Sequence, residues 1–159
     1  MEKCASIRFR VIIFILTAAA IGFVFSRSVM TADESSMESA GMLEFLSGLL
    51  KAVGISAELT DHIIRKLAHF TEFTVVGMLL TSCAYSFDRL RPHRYWATVL
   101  FAGLSTAVAD ETIQLFSDGR SGQITDVLLD FSGVLTGTAL MLAIFAIYRQ
   151  IKKRKNQHE

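Results

Sequence analysis

The stretch SDGRSGQITDVLLDFSGVLTG, residues 117–137, begins with polar residues and becomes apolar without a break. Two aspartates, Asp126 and Asp130, extend into its apolar part, and Gly133 and Gly137 follow them. The four residues are spaced i, i+4, i+7 and i+11, which places them on one face of an α-helix. Because small residues let membrane helices approach closely, this face is predicted to pack against a neighbouring helix and to carry both carboxylates inward.

This stretch leads into the last of four long apolar segments in the chain. A helix needs roughly 17–25 apolar residues to cross a bilayer, and each segment has such a length without a clear polar face. Hydrophobic residues make up 52% of the chain and charged residues only 19%. The sequence therefore predicts an all-α, polytopic membrane protein. It would form one membrane domain over residues 1–159, with four bundled transmembrane helices at 9–26, 68–87, 95–116 and 127–148.

The first apolar segment has a second interpretation. Basic residues followed by an apolar run, here Lys3, Arg8 and Arg10, are also typical of a secretory signal peptide. The residues that follow the run, VFSRSVM at 24–30, contain no convincing small-residue cleavage site. We therefore expect a retained transmembrane helix.

Basic residues concentrate on one side of a four-helix topology. Eleven of the 16 lysine and arginine residues lie in the N-terminal segment, in DRLRPHR at 88–94 and in the tail at 149–159. Cytoplasmic segments of membrane proteins carry such an excess. We expect a multi-pass protein of the bacterial plasma membrane, with both termini and the basic tail cytoplasmic and residues 27–67 outside.

The external segment 27–67 has three parts. Residues 26–41 are polar and are predicted to be extended. MLEFLSGLLKAV, at 42–53, has apolar residues at helical spacing and predicts an amphipathic helix, which lies on the membrane surface or packs on the bundle. AELTDHIIRKL, at 57–67, predicts a second short helix that leads into the second transmembrane segment.

Polar residues of three apolar segments lie at similar depths. Counted from the inner interface at about 1.5 Å per residue, they fall in the outer third of the membrane or at its outer boundary. Ionisable residues in a membrane usually mark function, although a network that only fixes helix register is the alternative. The predicted ligand-binding residues are Lys66, His69, Glu72, Asp110, Glu111, Gln114, Arg120, Asp126 and Asp130.

These residue types suit three kinds of chemistry. Lysine and arginine bind phosphate and other anions, while His69, Glu72 and Glu111 are candidates for acid–base catalysis. Glu111 and Asp126 are the candidate metal ligands, since carboxylates suit hard divalent cations. The sequence identifies no cofactor. A net charge of +1 argues against a nucleic-acid partner.

Two blocks of the sequence resemble the VanZ-like family of small membrane proteins. RKLAHFTEFTVVGMLL, at 65–80, has a Lys-x-x-His-Phe pattern followed by an acidic residue. DETIQLFSDGRSGQITDVLLDFSGVLTG, at 110–137, has an acidic residue, a glutamine three positions later, a Gly-Arg loop, two aspartates and a glycine. The resemblance is strongest over residues 66–140. The positions that match the motifs are Lys66, His69, Phe70, Glu72, Glu111, Gln114, Arg120, Asp126, Asp130 and Gly133.

The resemblance implies an integral membrane protein of the bacterial cell envelope, and the founding member is associated with resistance to the glycopeptide antibiotic teicoplanin. It supplies no reaction. One hypothesis is a protein that binds or modulates a lipid-linked or cell-wall-related anionic ligand in an outer-leaflet pocket. Another is a membrane-embedded hydrolase or transferase that acts on a lipid-linked substrate through His69 and carboxylates. A proton-coupled carrier is the weakest, because the inner half of the segments has few polar residues.

Overall fold

The computed structural model describes residues 4–52 and 60–155. In these ranges the chain forms helices and no strand, so the all-α prediction is confirmed. The elements are α1 (Ile7–Ser28), α2 (Ala32–Ala52), α3 (Asp61–Phe87), a 3₁₀ turn (Pro92–Tyr95), α4 (Trp96–Gln114) and α5 (Ile124–Lys155).

Three of the described helices, α1, α3 and α5, are long and apolar enough to cross a membrane. The shorter α4 is not among them. Its last turns contain Asp110 and Glu111, which lower the mean hydropathy of a helix that is otherwise apolar. The prediction of membrane-type helices is confirmed for three segments, and the count of four crossings stays a prediction.

The centre of the bundle is α3, which shares its most extensive contact with α5 and also packs against α1, α2 and α4. A small apolar core joins four of these helices. Its buried members are Val24 of α1, Phe73 and Val76 of α3, Ala107 of α4 and Val134 of α5. The first apolar segment is therefore a packed part of the fold.

The contact between α3 and α5 brings backbone against backbone at the predicted glycine face. A Cβ added at Gly133 would lie 2.6 Å from the carbonyl oxygen of Phe70, and one added at Gly137 would overlap the carbonyl oxygen of Thr74. Gly77 of α3 meets the backbone of Val134 in the same way. The face therefore packs inward, and it positions the aspartates above it toward α3.

The prediction that residues 26–41 are extended is wrong, because α1 continues to Ser28 and α2 begins at Ala32. Thr31 and Glu34 form a capping box. The Thr31 hydroxyl accepts from the Glu34 N–H at 3.3 Å, and the Glu34 carboxylate accepts from the Thr31 N–H at 2.9 Å. The backbone and side-chain hydrogen bonds from Thr31 lower the pKa of Glu34.

Other element bounds also differ from the prediction. The amphipathic helix predicted at 42–53 is the second half of α2, with Val53 outside the described residues. The short helix predicted at 57–67 is the first part of α3, although residues 57–59 lie outside the described ranges. The predicted basic tail, residues 149–159, is part of α5 as far as Lys155.

Candidate functional site

The loop between α4 and α5 is attached to the end of α1. Gly119 turns the loop with a positive φ, a conformation that glycine adopts at little cost. The Ser117 hydroxyl donates to the carbonyl oxygen of Ser28 at 2.8 Å, and Arg120 Nη1 donates to the carbonyl oxygen of Arg27 at 3.2 Å. These bonds hold the Arg120 side chain over the end of the bundle.

Beneath this loop, three helices bring His69, Asp110 and Asp130 together. One nitrogen or oxygen atom of each residue lies within 4.8 Å of the others. His69 Nδ1 is 3.7 Å from Asp110 Oδ2 and 3.9 Å from Asp130 Oδ1. The two aspartates are 0% and 1% exposed. The depth count from the sequence placed these residues in one layer, and the structure joins them there.

The two buried carboxylates have different surroundings. Asp110 accepts a hydrogen bond from the Ser28 hydroxyl at 2.5 Å and another from Gln114 Nε2 at 2.9 Å. Neither oxygen of Asp130 has a hydrogen-bond partner among the described residues. A buried charge without partners is strongly unfavourable. The packing of α5 brings Asp130 inward, but no hydrogen bond from the described residues compensates for the burial of its carboxylate.

The second nitrogen of His69 faces a cation. Arg120 Nη2 lies 3.5 Å from His69 Nε2, at the outer limit of a hydrogen bond. Because a guanidinium has only donors, this contact makes Nε2 the acceptor of a neutral imidazole and leaves the proton on Nδ1. The proton then points toward the two buried carboxylates, although neither lies within hydrogen-bond distance of Nδ1.

A cavity of about 200 Å³ opens beside this cluster, between the start of α3 and the α4–α5 loop. Lys66 forms an ion pair with Asp126 at 2.7 Å across the cavity. Three arginine or lysine side chains and three carboxylates line the wall, together with two histidines. The charged or titratable lining residues are His62, Arg65, Lys66, His69, Arg120, Glu111, Asp126 and Asp130.

The pKa of the Arg120 guanidinium is lowered from its ordinary value. Burial of the group is the main cause, and the positive charge of Arg65 adds to it. Asp110 and Glu111 act in the opposite direction but do not outweigh the burial. An incoming anion would compensate for both unfavourable effects, so this half-buried cation is suited to bind one.

The predicted metal ligands, Glu111 and Asp126, stay a prediction, and each has a partner in the structure. Glu111 accepts a hydrogen bond from the Gln123 N–H at 3.0 Å, and Asp126 is paired with Lys66. Among the described residues, the group with ligand spacing is instead His69, Asp110 and Asp130. Bonds to zinc are about 2.0–2.2 Å long, which separates the ligands of one ion by about 3–4 Å.

A histidine with two carboxylates also suits divalent ions such as zinc or manganese. The trio could therefore hold a metal ion, provided that Nδ1 of His69 gave up its proton. In that state Nε2 would carry the remaining proton, and Arg120 could no longer donate to it. A hydrogen bond from Arg120 to Nε2 and metal binding by Nδ1 of His69 therefore exclude each other.

Glu72 lies outside this first cavity. Its carboxylate pairs with Arg27 Nε at 3.2 Å, in the wall of a second cavity of about 390 Å³. The two cavities share Arg65, His69 and Arg120. Of the predicted site residues, Glu72 and Asp110 do not line the first cavity, but Asp110 belongs to the cluster beneath it.

Sequence reasoning did not assign Arg27, Ser28, His62 or Arg65 to the site. Arg27 lies at the end of an apolar segment, and Lys66 lies at the start of one. The position of Arg27 could therefore have identified it as a site residue. Arg65 and His62 stand one turn or less before Lys66 and His69 on the same helix, which also could have identified them. Ser28 gave no signal, because only the packing of α1 against α4 explains its bond to Asp110.

Apolar helices that bury an ionisable cluster near one end of their bundle define an integral membrane protein with an internal polar site. Residues 11–146, which include nearly all of the bundle and the whole cluster, match the VanZ/LLP1 family. The chain therefore belongs to this family. No curated protein and no solved structure matches the chain significantly.

Proposed function

We propose that this protein of the bacterial cytoplasmic membrane binds a lipid-linked or cell-wall-related anionic ligand in the cavity over His69 and Arg120. The observation that carries the proposal is the group of three cationic side chains, Arg65, Lys66 and Arg120, that line one cavity beside His62 and His69. Arginine and lysine bind phosphate through charge-assisted hydrogen bonds. The carboxylates below them orient these donors.

The second cavity supports a ligand with a hydrocarbon part. It adjoins the first and adds the apolar side chains of Met42, Ile64 and Ala68. A phosphate group in the first cavity and the first carbons of a lipid chain in the second would both find matching surfaces. A soluble anion would use only the first.

We further propose four membrane crossings, with both termini in the cytoplasm. At about 1.5 Å per residue, α4 extends about 28 Å, close to the roughly 30 Å of the apolar core. This helix also packs against α1, α3 and α5. The excess of basic residues at the opposite end of the bundle supports the orientation.

Cysteine labelling in intact cells tests this topology. In a background of Cys4→Ser and Cys83→Ala, a membrane-impermeant thiol reagent should label Ser121→Cys and leave Gln150→Cys unlabelled. Both positions are accessible, since neither side chain is buried. Labelling of Gln150→Cys from outside would contradict a cytoplasmic C-terminus, and labelling of both positions would contradict a crossing by α5.

Native mass spectrometry with a polyprenyl phosphate as the probe tests the ligand class. We expect the purified protein to retain the lipid, and Arg120→Gln and Arg65→Gln each to weaken binding about tenfold, the effect of one charged hydrogen bond. Arg91→Gln, exposed at the other end of the bundle, is the matched control. Equal binding by all variants would overturn the proposal.

The family resemblance extends the proposal to glycopeptide resistance. Expression of the protein should raise the teicoplanin concentration that inhibits a sensitive host. Arg120→Gln and Glu111→Gln should remove this effect without loss of membrane insertion, and Arg91→Gln should keep it. Full protection by both cavity variants would mean that the cluster serves the fold alone.

A second candidate function is a membrane-embedded hydrolase or transferase. The arrangement of His69 favours it, with Nδ1 toward buried carboxylates and Nε2 at the cavity beside Arg120. His69 would take a proton from a nucleophile, Asp110 would orient the imidazole, and Arg120 would stabilise developing negative charge. Glu72 and Glu111 are weaker candidates for acid–base catalysis because Arg27 and the Gln123 N–H already engage their carboxylates.

Release of inorganic phosphate from a polyprenyl pyrophosphate tests the enzyme. His69→Gln should lower kcat by about 10²–10⁴-fold, the usual contribution of a general base. Asp110→Asn should also lower kcat and leave KM nearly unchanged. If the unaltered protein binds the lipid without any turnover, this reaction is excluded. The result would remain consistent with the proposed binding function.

A further inference from the structure

The end of the bundle opposite the His69 cluster contains a groove of about 520 Å³ between α1, α3 and α5. Met141 and Ile144 of α5 form its apolar wall, and Ile144 is 47% exposed. Arg89, just after α3, and Lys152, in the last turn of α5, stand at its polar end. The groove therefore changes from apolar to cationic along α5.

The floor of this groove is a rigid aromatic pair. The rings of Tyr85 and Phe145 stack with centroids 3.8 Å apart and planes 12° apart. Both residues are buried. The Arg89 guanidinium carbon lies 5.8 Å from the centroid of the Tyr85 ring, within the range of a cation–π contact. The stacking and the cation–π contact thus fix the floor and Arg89 relative to each other.

The two cations of the groove have no carboxylate partner. Neither Arg89 nor Lys152 forms an ion pair within the described part of the chain. The Nε atom of Arg89 is buried and lacks a hydrogen-bond acceptor among the same residues. The described residues that line the groove include no acidic side chain. This end therefore offers an anion two cations, one of which has a buried donor without an acceptor among the described residues.

The dimensions match a phospholipid. From Met141 to Lys152 the helix rises about 16 Å, and half of the apolar core of a bilayer is about 15 Å. An acyl chain along Met141 and Ile144 would reach mid-membrane, and its phosphate would lie between Arg89 and Lys152. Basic pockets between transmembrane helices bind anionic headgroups in this way.

We infer that the groove is a binding site for an anionic phospholipid of the surrounding membrane, with the phosphate on Arg89 and Lys152 and one acyl chain against α5. The site is separate from the cavity over His69. It depends neither on the ligand proposed there nor on which end of the bundle faces the cytoplasm.

Competition between two phospholipids with identical acyl chains tests the inference. The full-length protein in detergent is mixed with phosphatidylglycerol and phosphatidylethanolamine, and retained lipid is measured by native mass spectrometry. We expect phosphatidylglycerol to be retained preferentially. The double variant Arg89→Gln/Lys152→Gln should lower this preference about tenfold. Retention of both lipids to the same extent by the unaltered protein would overturn the inference.

A matched double variant separates the groove from general surface charge. Arg91→Gln/Lys155→Gln removes the same charge from exposed positions at the same end but outside the groove. It should keep the preference for phosphatidylglycerol, and an equal loss in both double variants would overturn the site.

Two single variants complete the test. Lys152→Gln alters only an exposed side chain and should lower the preference in a folded protein. Ile144→Trp should lower retention of the lipid without any change of charge, because the indole fills the groove. Normal retention in Ile144→Trp would place the lipid elsewhere.

Discussion

The two ends of the bundle use charge in opposite ways. At one end, carboxylates of α4 and α5 are buried beside His69, and Asp130 has no donor for either oxygen among the described residues. At the other end, an aromatic pair is buried and the cations stand at the rim. Of these cations, Lys152 is exposed and retains much of its hydration, whereas Arg89 has a buried Nε without an acceptor among the described residues. Buried carboxylates are expensive, so we infer that the first end gives up more stability for function than the second.

Gly137→Leu should have the largest effect, because it disrupts the contact that aligns both ends. A side chain at this position would collide with the α3 backbone at Thr74. Overpacking of a tight core costs about 1–3 kcal/mol and sometimes more. We expect poor yield or a strongly lowered Tm in detergent. Leu140→Ala, at a position 49% exposed, is the control, and a Gly137→Leu protein as stable as this control would contradict the observed α3–α5 contact.

Asp130→Asn should change the stability of the protein in the opposite direction from Gly137→Leu. The amide keeps the shape of the side chain and removes a buried carboxylate without partners among the described residues. This change should stabilise the protein by about 1–3 kcal/mol. Thermal unfolding in detergent measures the gain, and lipid binding or turnover should fall at the same time.

The control for this variant is Asp126→Asn, since that carboxylate is paired with Lys66 near the cavity mouth. A lower Tm in Asp130→Asn than in this control would mean that Asp130 has a cation as its partner. Addition of zinc or manganese to the unaltered protein would then raise the Tm, and the same addition would leave Asp130→Asn unchanged.

Thr31→Val should have a local effect. It removes the hydroxyl that caps α2, and the loss of such a cap costs about 1 kcal/mol. Hydrogen exchange of the first turn of α2 should become faster, while α3 and α5 keep their protection. Unchanged exchange would show that contacts with α3, rather than the cap, hold this turn.

The same capping box predicts a dependence on pH. The folded pKa of Glu34 is lowered from 4.5 by its bonds to Thr31. Its stabilising contribution is therefore complete above about pH 4.5 and is lost as the pH falls through the folded pKa. Protection of the turn, corrected for intrinsic exchange rates, should decrease in that acidic range and not in Glu34→Gln.

Lys66→Gln should have the smallest effect on stability. The Lys66–Asp126 pair is partly exposed, at 36% and 23% of the two side chains, and pairs of this kind contribute about 0–1 kcal/mol. We expect nearly the same Tm and weaker binding of a polyprenyl phosphate. A large drop in Tm would mean that the Lys66–Asp126 pair contributes substantially to the stability of the fold.

Much of the fold was predictable because helical periodicity is a local property. The apolar segments, the inward glycine face and the depth of His69, Asp110 and Asp130 follow from spacing and from the rise per residue. The spacing of Thr31 and Glu34 also indicates the start of α2. The prediction missed this signal because residues 26–41 are polar. The interpretation of these residues as extended was therefore an error.

By itself, the sequence determined an all-helical membrane protein of this family and the layer in which its polar residues lie. Only the tertiary structure decided the partners within that layer. The end of α1 places Ser28 on Asp110 and Arg27 on Glu72, while Asp130 receives no donor from the described residues. The physical reason is that spacing along a helix defines its faces, whereas the rotation of one helix relative to the next is set by close packing. Here that packing runs through Gly133 and Gly137.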